Sequence, residues 1–192
     1  MLTLALSLPA LALLGGCGSS TNNTTEITIT DNGTAVEGTA AGTNTAVLPA
    51  APAVTGQQFA DTASASDAYE VAAGKLAAAK ATTKALKDFG EMMVKGHTHS
   101  TEKLKEAGKA ASPAITPAGK MTAEQEANLA TLQSATGADF DAAYKSQQVT
   151  AHQQTLAAVQ AYAASGDVPS LKTWAVNTAP IVQMHLEKIQ GM

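Results

Sequence analysis

The residues best equipped for chemistry in this sequence are its four histidines. His97, His152 and His185 fall where a helix would place them on its apolar side. One segment carries Leu86, Phe89, Met93, His97, Ser100, Leu104 and Ala107 at alternating spacings of 3 and 4, the period of one helical face. A later segment repeats the pattern with Ala142, Val149, His152, Leu156, Val159 and Ala163, flanked by Phe140 and Tyr144. The last has Leu171, Trp174, Thr178, Ile181, His185 and Ile189. Glu70 holds the corresponding place on a first stripe of Phe59, Ala63, Ser66, Glu70, Ala73 and Ala77. His99, two residues past His97, points nearly the opposite way and is expected in solvent. Three imidazoles and a carboxylate from four helices make a donor set for a divalent transition metal such as zinc, copper, iron or manganese. The same cluster could hold a small ligand, or, as a Glu–His hydrogen-bonded network without metal, serve only as the polar core of a structural or protein-interaction module of the envelope, with Gln148 and Gln183 as polar neighbours in each case. These readings stay open at this level.

Other chemistries find less support. A di-iron bundle needs Glu-x-x-His pairs, and the residues three before His97, His152 and His185 are Val94, Val149 and Val182. Met92, Met93 and Met184 invite a copper reading through thioethers, but core filling is the simpler role for them. There is no legible Ser–His–Asp or Cys–His arrangement and no glycine-rich phosphate loop, so nothing points to an enzyme. All twelve basic residues are Lys. Without Arg there are no bidentate clamps on phosphate or carboxylate, and a net charge of −4 argues against a nucleic-acid-binding face.

The elements that must position these residues follow from the breaks between periodic stretches. A first helix is expected from Phe59 to about Ala81, starting near Thr55 or Gly56. Thr82 and Thr83 interrupt it and can cap a second, from Lys84 to Ala111. Pro113, Pro117 and Gly119 end that helix, and a short helical piece, Thr122 to Ser134, sits in a crossover. Gly137-Ala-Asp139 opens a third long helix to Ser165. Gly166-Asp167-Val-Pro169 breaks it, with Asp167 as the cap of a fourth, kinked helix that contains Pro180. The resulting expectation is all-α: a ferritin-like four-helix bundle whose two hairpins are joined by a crossover segment holding a short extra helix. With both tight turns placed at one end, Glu70 lies 12 residues down, His97 15, His152 14 and His185 19. At ~1.5 Å per residue the first three agree in height to about 5 Å, with His185 about a turn lower.

Composition fits such a bundle. Hydrophobic residues make up 45% of the chain but aromatics only 4%; alanine is the commonest residue, which favours closely packed helices. The one cysteine excludes a disulfide framework and CxxC sites. Its position suggests another use. An apolar run from Met1 ends at Leu14, too short to span a bilayer, and Leu14-Gly15-Gly16-Cys17 resembles the bacterial lipobox, in which cleavage leaves a lipidated cysteine. No basic residue precedes the run, and an ordinary signal peptide with an incidental cysteine is the alternative. Gly18 stands where an inner-membrane retention signal would have Asp, which implies the outer membrane, facing the periplasm. From Gly18 to Gly56 the chain is rich in Thr, Asn, Gly, Ala and Pro, with three carboxylates (Glu26, Asp31, Glu37) and no Lys, the composition of a disordered tether. The expected organisation is a signal peptide over 1–16, lipidated Cys17 plus linker over 17–56, and the bundle over 57–192.

Glu70-Val-Ala-Ala-Gly-Lys-Leu-Ala, Lys87-Asp-Phe-Gly-Glu-Met-Met-Val-Lys-Gly-His97-Thr, Phe140-Asp-Ala-Ala-Tyr144 through His152, and Ala179-Pro-Ile-Val-Gln-Met-His185-Leu together resemble the bacterial domain-of-unknown-function 4142 family. That resemblance spans nearly all of residues 57–190. It implies a secreted or lipid-anchored ferritin-like bundle and carries no activity with it. Family members usually have Asp before the histidine of the second helix, where this chain has Gly96, so a role for that Asp is lost or moved here. Asp141 and Tyr144 belong to the Phe-Asp-x-x-Tyr pattern; Asp141 suits the helix dipole near a helix start, and Tyr144 reads as a core-flanking aromatic.

Overall fold

The computed structural model describes residues 54–192. The expected signal peptide, the lipidated Cys17 and all but the last residues of the linker lie outside the described residues. Five helices follow in order: α1 (Gly56–Lys80), α2 (Lys84–Lys109), α3 (Ala123–Ser134), α4 (Gly137–Ser165) and α5 (Pro169–Gln190). Their starts have local causes. Thr55 and Gln58 form a reciprocal capping box on α1, and Thr122 and Gln125 do the same on α3, each satisfying two orphan donors. Thr83 accepts from the Leu86 amide at the head of α2. Pro169, whose missing N–H costs nothing in a first turn, opens α5 after Val168. Asp167 is not the cap that the sequence suggests; its carboxylate accepts the Tyr162 hydroxyl at 2.7 Å instead.

Helices α1 and α2 form one hairpin and α4 and α5 the other, with α1 also against α4 and α2 against α5. This is an all-α four-helix bundle with one crossover and a short extra helix, as expected. The arrangement of its ends is not. Thr82, in the α1–α2 turn, donates its amide to Asp141 Oδ1 at 3.0 Å and its hydroxyl to Asp141 Oδ2, so α4 starts beside that turn. At the other end Phe59 stacks on Tyr162 with ring centroids 3.8 Å apart. The two tight turns therefore lie at opposite ends of the bundle. The crossover is the reason, because it travels the full length of α1. Gln57 donates to Thr116 O at 3.0 Å, the Gly119 amide donates to Ser64 Oγ at 2.8 Å, and Lys80 donates to Leu132 O at 2.9 Å.

The heights survive this correction because Glu70, His97 and His152 sit near mid-helix and α5 starts level with α1. Glu70 is 14 residues into a 25-residue helix, His97 13 into 26, His152 15 into 29, and His185 16 into 22. Counted from the end beside Phe59, where α1 and α5 start and α2 and α4 finish, the four stand 14, 12, 13 and 16 residues along. Apolar packing is divided accordingly. One cluster, with Phe89, Met93, Leu132, Phe140 and Tyr144, fills the end beside Thr82; a second, with Phe59, Leu104, Tyr162, Leu171 and Trp174, fills the other. Buried polar residues lie along the same helices: Asp67, Glu70, His97, Gln148, His152 and His185.

Two glycines set the approach of α1 to α2. A Cβ on Gly74 would stand 2.6 Å from Gly90 O, and one on Gly90 would stand 2.6 Å from Gly74 O and 2.8 Å from the Ala77 Cβ. Backbone cannot yield as a flexible side chain can. Alanine at either position gains about 1 kcal/mol of helix propensity, yet the overpacking, typically ~1–3 kcal/mol, should win. Urea unfolding is expected to show Gly74→Ala and Gly90→Ala less stable than the parent chain.

Candidate metal centre

Helix α1 turns Asp67 and Glu70 inward one turn apart. Helix α2 brings His97, α4 brings Gln148 and His152, and α5 brings His185. All are between 0% and 6% exposed. The three imidazoles form a near-equilateral triangle with ring centroids 5.5–5.8 Å apart. One ligating nitrogen from each lies within 4.8 Å of the other two. Nitrogens bound tetrahedrally at 2.0–2.1 Å stand about 3.3 Å apart, so small rotamer adjustments would bring all three onto one ion. A buried group of three histidines that could hold a metal is thus present, drawn from three helices.

Each ring is held differently. His97 Nδ1 is 2.8 Å from Asp67 Oδ1, which leaves its Nε2 without a partner among the described residues. Thr101 Oγ1 lies 3.1 Å from Asp67 Oδ2 and 2.9 Å from His97 O, and braces the pair. Burial pulls the His97 pKa down, but the bond to Asp67 and the charges of Glu70 and Asp67 outweigh it and leave the pKa above the usual value. His152 donates from Nδ1 to Gln148 O, four residues back, at 2.9 Å, and its Nε2 is also unpartnered. Burial lowers its pKa despite the neighbouring Glu70. His185 has no side-chain hydrogen bond on Nδ1; burial, together with the charges of His97 and His152, drives its pKa down to about 3. Burial thus favours the neutral form, with its free lone pair, at His152 and His185, while the Asp67 bond and the Glu70 charge favour the charged form at His97 more than in a free imidazole.

Glu70 lies beside this triangle rather than within it. Its Oε1 is 3.8 Å from His152 Nδ1, and neither carboxylate oxygen has a hydrogen-bond partner. The amide of Gln148 and the hydroxyl of Tyr144 are unpartnered too. Burial, followed by the charge of Glu70, holds the Tyr144 phenol above its usual pKa. A polar, enclosed layer with this many open donors and acceptors is suited to an ion or ordered water.

Of the four residues that sequence spacing proposed, His97, His152 and His185 converge, and Glu70 lies beside them in the same buried layer. It places others elsewhere. Gln183 is not at the layer and donates to Glu187 at 2.6 Å. His99 is exposed, as expected, and stands 3.7 Å from Glu102. Met184 is half-exposed, and Met92 Sδ accepts from Lys188 at 3.8 Å. Met93 is buried within the apolar cluster at one end; the methionines behave as packing. Asp67 is the functional residue that the spacing argument missed. It shares a helical face with Glu70 and has no Lys four residues away on either side (Ala63 and Val71), which is the signal that could have marked it as inward.

A model of the family described as Domain of unknown function (DUF4142) matches residues 41–192 of the chain. No curated protein and no solved structure matches it.

Removing one partner of the buried Asp67–His97 pair strands the other. Asp67→Ala is expected to destabilise the metal-free protein by about 2–4 kcal/mol in urea unfolding, whereas Glu102→Ala, on the surface beside His99, should change stability by less than ~0.5 kcal/mol.

Proposed function

We propose that this chain, which belongs to the DUF4142 family, is a lipid-anchored protein of the bacterial cell envelope whose bundle binds one divalent transition metal. The observation that carries the metal reading is the convergence of three buried imidazoles, with ligating nitrogens within 4.8 Å of one another. His97 and His152 would bind through Nε2, since their Nδ1 atoms are already engaged by Asp67 and by Gln148 O. Asp67 is the nearer carboxylate but is committed to His97 Nδ1; Glu70, whose oxygens are unpartnered among the described residues, is the candidate fourth donor. An imidazole-rich set completed by one carboxylate suits zinc, iron, manganese or copper bound through nitrogen. It supplies no soft sulfur.

Asp67 has the part that carboxylates commonly play behind a metal-bound histidine. By accepting the Nδ1 proton it fixes the ring's tautomer and orientation and makes Nε2 a better donor. The observation speaks for binding: three imidazoles converge in a layer whose acids and histidines are all buried. The anchor rests on the sequence: Leu14-Gly15-Gly16-Cys17 supports acylation at Cys17, and acyl chains at ~0.8 kcal/mol per buried methylene would hold the bundle at the membrane.

Elemental analysis of protein purified without chelator should find about one metal ion per chain, and His97→Ala combined with His152→Ala should lower that at least about tenfold, as loss of two of the four donors implies. Substoichiometric metal that the double variant leaves unchanged would refute the site, and the layer would then be a hydrogen-bonded structural core. Separately, mass spectrometry of the membrane fraction should find Cys17 acylated, and Cys17→Ser should release the protein; a free thiol on membrane-recovered protein would refute the anchor.

A further inference from the structure

The three histidines are buried, yet two of them are reachable from one side. A cleft of about 440 Å³ runs between α2 and α5, and its wall includes His97 and His185 at the floor and His99 near the rim. The pocket between α1, α3 and α4, lined by Thr62, Tyr69 and Gln147, includes none of the three. A depression along the outside of α1 and α2 touches His99 alone among the histidines. We infer that the α2–α5 cleft is the route by which a divalent metal ion reaches the buried site, with His99 as its first point of contact and Gly96 as the gap it passes. This inference rests on the metal reading above and adds to it a direction of approach and the residues that control it.

Three features support that route. The first is size. Six waters at about 30 Å³ each occupy about 180 Å³, so a hydrated ion fits the cleft and can shed water gradually inside it. The second is the floor. The buried Nε2 of His97 has no partner among the described residues, and His97, only 6% exposed, lines the cleft. The third is Gly96. It contributes no side chain between α2 and α5, and a Cβ there would stand 3.4 Å from His185 Cε1 and 3.8 Å from His185 Nε2. Any larger residue would lie across the edge of His185.

The walls are compatible with passage of a cation. Ser100, Thr178 and Asn177 supply neutral oxygens along the way. Lys103, the cation in the wall, is already paired with Glu106 at 2.9 Å. Opposite the cleft, Asp67 and Glu70 close the site from α1, where a dication would find its counter-charge.

Trp174 lines this cleft and is the only tryptophan in the chain, which gives an intrinsic reporter. Metal-free full chain would be mixed with Co(II) in a stopped-flow instrument, with Trp174 quenching and cobalt absorption followed in time. Gly96→Val and Ser100→Leu, two independent ways of filling the cleft, are expected to slow loading by about tenfold or more, as for association that must await a conformational opening. Their final stoichiometry should remain that of the parent. His99→Ala should slow loading by roughly two- to fivefold through loss of capture at the rim. Thr62→Leu, in the pocket on the other side of the bundle, should load at the parent rate. Unchanged rates in both Gly96→Val and Ser100→Leu, or equal slowing by Thr62→Leu, would overturn the route while leaving the site intact. A parent chain that takes up no cobalt at all would overturn the site and the route together.

Discussion

Two acids, three imidazoles and an amide taken out of water at mid-height form the constraint around which this bundle is arranged. A buried polar group without a partner costs on the order of 1–3 kcal/mol, and this layer includes several. The apolar ends must therefore hold the four helices in register across it. They do so with the largest side chains in the domain: Phe89, Phe140 and Leu132 on one side, Phe59, Tyr162, Trp174 and Leu171 on the other. Each such side chain contributes roughly 1.5–3 kcal/mol when buried. A chain with so few aromatics has placed most of them on either side of its polar residues. Gly74 and Gly90 then let α1 and α2 approach closely one turn from Glu70 and two from His97, which fixes the hairpin that presents the Asp67–His97 pair.

Within the layer the histidines differ in how firmly they are held. His97 is tied across the bundle to Asp67, which is itself braced by Thr101. His152 is tied only along its own helix. His185 is tied by nothing on its buried nitrogen, and α5 carries Pro180 five residues before it. Proline removes the amide that would bond Val176 O, so the backbone leading to His185 has one fewer restraint than its neighbours. Two preset rings and one with more freedom make a reasonable arrangement for closing on an ion. The third ring can adjust by the small distance that separates the present nitrogens from a tetrahedral set.

Most of this organisation was legible in the residues, and what was not has physical reasons. Helix limits could be read because Thr55, Thr83, Thr122 and Pro169 are local signals that tertiary contacts do not override. The inward placement of His97, His152 and His185 followed from period alone. Period misplaced the centre of the α4 stripe, because Ala142 is exposed while Phe140, Tyr144 and Gln148 are buried. A buried glutamine between tyrosine and histidine does not register as part of an apolar face. On α5 the buried residue is Val182, and Ile181 is half-exposed; two adjacent β-branched residues cannot be told apart by hydrophobicity. The ends of the bundle were misread because the crossover was counted but not followed. A connection that includes α3 is long enough to return along α1, and that return reverses the second hairpin. Asp67 was overlooked because an acid in a helix is usually solvated, and only its shared face with Glu70 argues otherwise.

Charge is what distinguishes a metal layer from a merely polar one. The layer has two carboxylates, Asp67 and Glu70, and three imidazoles of which burial holds His152 and His185 neutral. His97 is paired with Asp67 at 2.8 Å, but it has no comparable contact with Glu70, whose oxygens accept no hydrogen bond among the described residues. A uniformly structural core would be better served by apolar residues of similar volume, since a buried ion pair seldom repays its own desolvation. A divalent ion accounts for the composition more completely. It would be held by the unpartnered nitrogens of His97 and His152 and by one from His185, and would set two positive charges beside the two acids of the layer. Asp67 would keep its bond to His97 Nδ1 while Glu70 would gain a counter-charge that no side chain provides among the described residues. The odd feature of the site, a carboxylate buried beside histidines and bonded to none of them, becomes its most informative one.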